Sequence, residues 1–183
     1  VDPKREYVVI GKERHDFSRP DNQGYPIRGI VGKGYMYLYN YKIDLWPAGN
    51  PELGYLDVDG GATKTEILEL FRSGKDRSYW DLSFGKRKSN EEFFDLVNDP
   101  DCFNNLADDE RLTAVKARMK ARLEDTLTVQ KDPRHLGNGD VFDNYGYSRD
   151  MAWNFYEKYM AGEESKANTG WVNDSDYEPK PLD

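Results

Sequence analysis

Lys12, Arg14, His15, Arg19 and Arg28 crowd the stretch GKERHDFSRPDNQGYPIR, residues 11–28, among the acids Glu13, Asp16 and Asp21. Arginine offers a planar fork of donors that suits sulfate, phosphate or carboxylate oxygens, and lysine offers a point charge. The stretch reads in two ways: a loop that holds an anion, or a set of surface ion pairs worth about 0–1 kcal/mol each. Residue types alone leave both open. Cys102, in NDPDCFNNL, lies beside Asp99 and Asp101, whose charges raise a thiol's pKa and blunt it as a nucleophile. A half-buried small residue is its expected role. His15 and His135 are too few for a histidine-rich metal centre, and neither falls in an H-x-x-x-H spacing. Asp57 and Asp59 in LDVDGG resemble part of a calcium loop, but the later ligands and the closing glutamate are missing. A turn with self-bonded Asp side chains is expected there. No P-loop, dinucleotide glycine fingerprint or G-x-S-x-G elbow occurs. By local chemistry the chain carries no complete active site.

The totals narrow the setting. The 183 residues are 37% hydrophobic and 33% charged, with a mean hydropathy of -0.92, which predicts one modest core with long surface segments. Thirteen Tyr, 8 Phe and 4 Trp argue against wholesale disorder. A net charge of -8 and a pI near 4.9 exclude nucleic acid as the expected partner, while leaving room for a local cationic pocket. A single cysteine permits no internal disulfide, which fits cytosol or an unbridged periplasmic protein. No run approaches the roughly 20 apolar residues of a membrane span, so no membrane partner is expected. No signal peptide is visible, and a start at Val1 with a strand close behind leads to the expectation of a piece of something longer.

The loop must be positioned by regular elements. REYVVIGKE predicts a short strand closed by Gly11, and its continuous apolar run predicts burial on both faces. YPIRGIVGKGYMYLYNY predicts a hairpin, with strands near Ile27–Val31 and Tyr35–Tyr41 and a turn at Gly32-Lys33-Gly34. Tyr35, Tyr37, Tyr39 and Tyr41 share one face of the second strand, either as a sheet wall or as a saccharide-stacking platform. Thr63 is the expected cap of a short helix to about Ser73, with Glu66 completing a capping box, Ile67, Leu70 and Phe71 as its apolar side and Gly74 as its stop. Alternation of Trp80, Leu82 and Phe84 predicts a strand, and EEFFDLVND predicts another. A long helix is expected from about Asp109 to Gln130, capped by Asp108, with Leu112, Val115, Met119, Leu123 and Leu127 in one stripe. RDMAWNFYEKYMAG predicts a last short helix using Trp153, Tyr156 and Met160, and the polar tail from Glu163 is expected to trail over a surface. No linker is clean enough to mark two domains, and 148–183 reads as an extension of a region spanning 1–147. The fold class expected is α+β: a small antiparallel sheet of about four strands packed by one long helix.

Three runs carry a family resemblance when taken together: GKERHD…GYPIRGI, NYKIDLWPAGNPELGY, and EEFFDLVNDPDCFNNL. Over roughly residues 5 to 147 the chain resembles the C-terminal region of type I, formylglycine-dependent sulfatases, nearest the bacterial arylsulfatases and heparan N-sulfatase-like enzymes. In the third run Asp95, Asn98, Pro100 and Asn104 are turn and cap chemistry. The resemblance implies the C-terminal subdomain of an alkaline-phosphatase-like fold, with 1–11 as the last strand of a large sheet without neighbours in this chain, and 27–130 as the small sheet plus helix. It implies hydrolysis of sulfate esters or sulfamates, with a sulfated saccharide or aryl sulfate as substrate. The formylglycine nucleophile and a calcium ion are expected in an N-terminal catalytic domain, the implied partner, because no C/S-x-P/A-x-R motif occurs here and no calcium ligand maps onto these residues. Arg14 and His15, with Arg28, are the expected contacts to the non-sulfate part of the substrate; pinning the loop is the other role open to Arg14 and His15. A periplasmic or extracellular location is implied by family habit. The alternative function is a non-catalytic glycan-binding or interaction module built on the tyrosine strand.

Overall fold

A computed structural model describes residues 6–146 and 152–182, which fall into two compact units. Among the described residues, 6–13, 26–42 and 88–142 form the first, and 14–25, 43–87, 143–146 and 152–182 form the second. Residues 1–5 of the expected first strand and 149–151 of the expected last helix lie outside the described residues.

The first unit is the α+β arrangement expected. Strands β1 (Tyr7–Lys12), β2 (Ile27–Gly32), β3 (Tyr35–Asn40) and β4 (Glu91–Asp95) make one sheet in the order β1-β2-β3-β4, antiparallel throughout. Lys33 (φ 51°) and Gly34 (φ 82°) form the two-residue connection between β2 and β3. Positive φ at both central residues matches the twist of a tight hairpin, and the glycine takes it without a Cβ penalty. Helix α3 (Thr113–Val129) lies on one sheet face, where Met119, Leu123 and Leu127 meet Ile30, Tyr37 and Phe93. Tyr35 and Tyr39 pack against the same cluster. The tyrosine face is therefore largely the sheet's wall under the helix, with Tyr37 only 1% exposed.

β1 corrects two expectations. It pairs with β2 along its length, so it has a neighbour in this chain, and it is not buried on both faces: Val8 is 48% exposed and Ile10 39%. Tyr7 and Val9 turn towards α3 and satisfy that face, so the alternate residues of a continuous apolar run are left outside. The helix start also differs. Asp109, not Asp108, accepts the Arg111 N–H at 2.9 Å, capping a 3-10 turn at Glu110–Leu112 that leads into α3. At the opposite edge, the Asn105 side chain stands in for a fifth strand. Its Oδ1 accepts the Phe93 and Ala107 N–H groups, each at 3.0 Å, and Leu106 N–H donates to the Phe93 carbonyl at 2.7 Å. Asn105→Ala leaves the Phe93 N–H without its acceptor, and an expected loss of about 1–2 kcal/mol in urea unfolding checks this.

In the second unit α1 (Ala62–Arg72) is capped by Gly61 rather than Thr63, which sits in the first turn, so no capping box forms. Of the apolar side expected, Ile67 and Phe71 pack against the core beside the buried Lys64 and Leu68, which lie outside the expected stripe. Gly74 (φ 69°) stops the helix as expected, with Lys75 N–H closing on the Leu70 carbonyl at 3.1 Å. The predicted strand at 80–84 is instead helix α2 (Ser78–Ser83). Trp80 and Phe84 are four apart, so alternation and a helical turn both bring them to one side, and both are buried with Trp46 and Tyr55. Arg77 and Asp81, bonded twice at 2.8 Å across one turn, carry the helical phase. Helix α4 (Phe155–Met160) turns Phe155 inward, while Met160 is 49% exposed. The tail does not trail: Trp171 Nε1 donates to the Leu56 carbonyl at 3.1 Å, Glu178 N–H to that of Pro51 at 3.0 Å, and Asp176 is wholly buried.

Candidate functional site

The basic stretch begins in the first unit, enters the second after Glu13 and returns at Pro26. Within the second unit Arg14 is held by backbone oxygens. Its Nη1 donates to the carbonyls of Asn22 at 3.0 Å and Asp143 at 3.3 Å, and its Nη2 to that of Tyr145. Its guanidinium lies 5.8 Å over the Trp153 ring. Further along, Asn22 and Asn154 exchange bonds: Asn22 Nδ2 donates to Asn154 Oδ1 at 2.7 Å, and Asn154 N–H to Asn22 Oδ1 at 2.8 Å. Gly24 N–H donates to Asp143 Oδ1 at 3.0 Å. The loop is thus fixed at several points. His15, in the middle of this fixed loop, is exposed and has no hydrogen-bond partner among the described residues.

Arg19 is 1% exposed and serves as a core post. It donates to the Trp46 carbonyl at 2.7 Å, the Pro47 carbonyl at 3.0 Å and Asp57 Oδ2 at 2.7 Å, and Ser18 Oγ donates to Asp57 Oδ1 at 2.6 Å. Asp57 is therefore the counter-charge of a buried arginine and does not close a turn on itself. Asn50 N–H joins the same assembly through the Ser18 carbonyl at 2.9 Å, which ties the SRP and WPAGNP segments together.

Arg28 belongs to the first unit, where it forms an ion pair with Glu13 at 2.6 Å and with Asp132 at 2.9 Å. Arg134 grips the other oxygen of Glu13 at 2.8 Å and Asp140 at 3.0 Å. Gly139 gives Arg134 its room, since a Cβ there would fall 2.5 Å from the arginine Cδ. The basic charges of this loop are in the main paired and covered, not the exposed pairs that composition allowed. Asp132 and Arg134 completed these contacts unseen from sequence, the only signal being that DPRHLGNGD carries charge where a mere connection needs none; Trp153 was expected only as an apolar residue of the last helix.

The remaining chemistry-bearing groups are accounted for by turns. Asp95 Oδ1 accepts the Val97 and Asn98 N–H groups at 3.0 and 3.1 Å, and Asp99 Oδ2 accepts that of Asn104 at 2.7 Å. Burial first, and then Asp99 and Asp101, push the Cys102 thiol above its usual pKa. His135 Nε2 sits 3.1 Å from Thr128 Oγ1. Among the described residues no group of three His, Cys, Asp or Glu side chains could hold a metal ion, and no helix is long and apolar enough to cross a membrane.

No protein-family model matches the sequence, and no curated protein matches it. Among solved structures the chain is similar to a candidate sulfatase from Bacteroides thetaiotaomicron VPI-5482, with 18% identity over 74% of this chain and a TM-score of 0.41. It is similar to the same degree, again 18% identity, 74% coverage and TM-score 0.41, to a 2-O GAG sulfatase. The chain spans 19% of the length of each. At that TM-score the superposition is too loose to assign a family.

Proposed function

We propose that this chain is the C-terminal region of a formylglycine-dependent sulfatase of the bacterial arylsulfatase and heparan N-sulfatase-like group, hydrolysing sulfate esters or sulfamates of saccharides. The three sequence runs support the reading by occurring in order within one chain. The carrying observation of geometry is His15, exposed on a loop whose flanks are fixed at Arg14, Asn22 and Gly24. An imidazole so presented can bond a sugar hydroxyl or carboxylate without first ordering its own backbone. In this reading His15 is the contact and Arg14 the holder of its loop, while Arg28, engaged with Glu13 and Asp132 in the first unit, is left out of the recognition set. The nucleophile belongs to an N-terminal catalytic domain of the same protein, in a periplasmic or extracellular setting. Calcium in that domain neutralises sulfate oxygens; the described residues here offer it no donor set.

The test uses the enzyme that contains this region. His15→Ala is expected to lower kcat/KM on a sulfated saccharide by about tenfold while holding a small aryl sulfate within about twofold. Equal losses on both substrates would remove His15 from substrate selection. The 183-residue chain alone is expected to leave a chromogenic sulfate ester unhydrolysed.

A further inference from the structure

A cavity of about 650 Å³ opens between α3 and the β1–β2–β3 end of the sheet in the first unit, with Tyr7, Lys33, Tyr35, Arg118, Arg122 and Asp125 on its walls. The two flanks of α3 differ. On one, Lys116 and Lys120 stand a turn apart and both pair with Glu91, at 2.9 and 2.6 Å. On the other, Arg118 and Arg122 also stand a turn apart, and neither makes an ion pair among the described residues. A chain with 34 acidic and 26 basic side chains has carboxylates to spare, so two arginines beside this cavity without an ion pair among the described residues call for a ligand.

Arg122 is held ready for one. Its guanidinium lies 4.3 Å over the Tyr7 ring, and that ring occupies the space a Cβ would fill at Gly32. A cation–π contact of this kind holds the charge over the ring without using its N–H donors as hydrogen bonds. Lys33 adds a cation at the rim, shared with Glu6 at 3.5 Å, so the charge balance of these side chains stays positive even with Asp125 and Glu6 included. Tyr35 is kept in place by stacking on Phe93 at 5.3 Å. The volume exceeds what one small oxyanion fills and lies within the range for organic ligands of several rings.

We propose that this cavity binds a sulfated disaccharide, its sulfate held by Arg118 and Arg122 and its rings against Tyr7 and Tyr35. The anion site stands on these contacts alone; the choice of sulfate rests on the proposed function. The experiment is calorimetric titration of the 183-residue chain with a sulfated disaccharide, its desulfated counterpart and inorganic sulfate. One-to-one binding of the sulfated sugar is expected, weakening as salt rises. At least about a tenfold loss is expected for the desulfated sugar and for the double variant Arg118→Gln, Arg122→Gln. Both arginines are exposed, so the double variant is expected to keep the parent's thermal midpoint, which separates lost binding from lost folding. No binding of the sulfated sugar, unchanged binding by the double variant, or equal affinity for the desulfated sugar or for inorganic sulfate would overturn the proposal. Hydrolysis is not measured, so this result and the His15 result can fail separately.

Discussion

Asp176→Ala is expected to cost about 3–5 kcal/mol, because it strands a buried ammonium. Lys64 is 4% exposed and Asp176 0%. The lysine Nζ donates to the carbonyls of Gly54 at 2.7 Å and Val58 at 2.6 Å, and Asp176 Oδ2 at 3.3 Å supplies the countercharge. Burial holds the Lys64 pKa below its ordinary 10.5, against the pull of Asp176. With a folded-state pKa below the unfolded one, the unfolded chain binds more protons between those two values, so this lysine favours folding more as pH rises through that window. Removing Asp176 widens the window downward. The deficit of the variant is therefore expected to shrink as pH is raised from neutral towards 10.5, in chemical unfolding read at matched pH against the parent. A deficit that stays constant with pH would mean that the loss came from the Asn173 turn, whose N–H also donates to Asp176 at 2.9 Å, and not from the stranded charge.

That pair marks the limit of what the sequence discloses. β2, β3, β4 and α3 are legible because each repeats its own period for at least five residues, and the third sequence run is legible because Asp95 and Asp99 bond backbone within five residues of themselves. α2 is not, since Trp80, Leu82 and Phe84 alternate like a strand while Trp80 and Phe84 also sit one helical turn apart. The tail is not, because its anchors are 103 to 115 residues away in sequence: Arg72 reaches the Ser175 carbonyl and Trp171 reaches that of Leu56. The candidate site divides in the same way. The crowding of basic residues in 11–28 shows at once, but whether each is spent or free depends on partners far along the chain. Arg28 finds Asp132 104 residues on, and Arg14 finds carbonyls 129 and 131 residues on. His15 differs from its neighbours by lacking such a partner among the described residues, and an absence of that kind has no local sign.

Glu91→Gln is expected to cost about 2–3 kcal/mol at pH 7 and progressively less in acid. Burial alone would raise the Glu91 pKa, but hydrogen bonds from Lys120, Lys116 and Tyr37 outweigh it and hold the carboxyl at about 2, against an ordinary 4.5. The three donors lie 2.6, 2.9 and 3.1 Å away. They come from α3 and from β3, so the carboxylate fastens the helix to the sheet at the edge of the core that Tyr37 closes. The same contact, after burial, pushes the Tyr37 hydroxyl above its ordinary 10. Because the folded-state pKa is depressed, the contribution is complete above pH 4.5 and is lost as pH falls from there towards 2. Less than half is expected to remain at about pH 3. Glutamine keeps the size and one acceptor while removing the charge, so the unfolding curves of parent and variant should converge as the pH is lowered. A gap of the same size at pH 7 and at about pH 3 would show that Glu91 acts through packing, and that its two lysines do not secure α3 to the sheet.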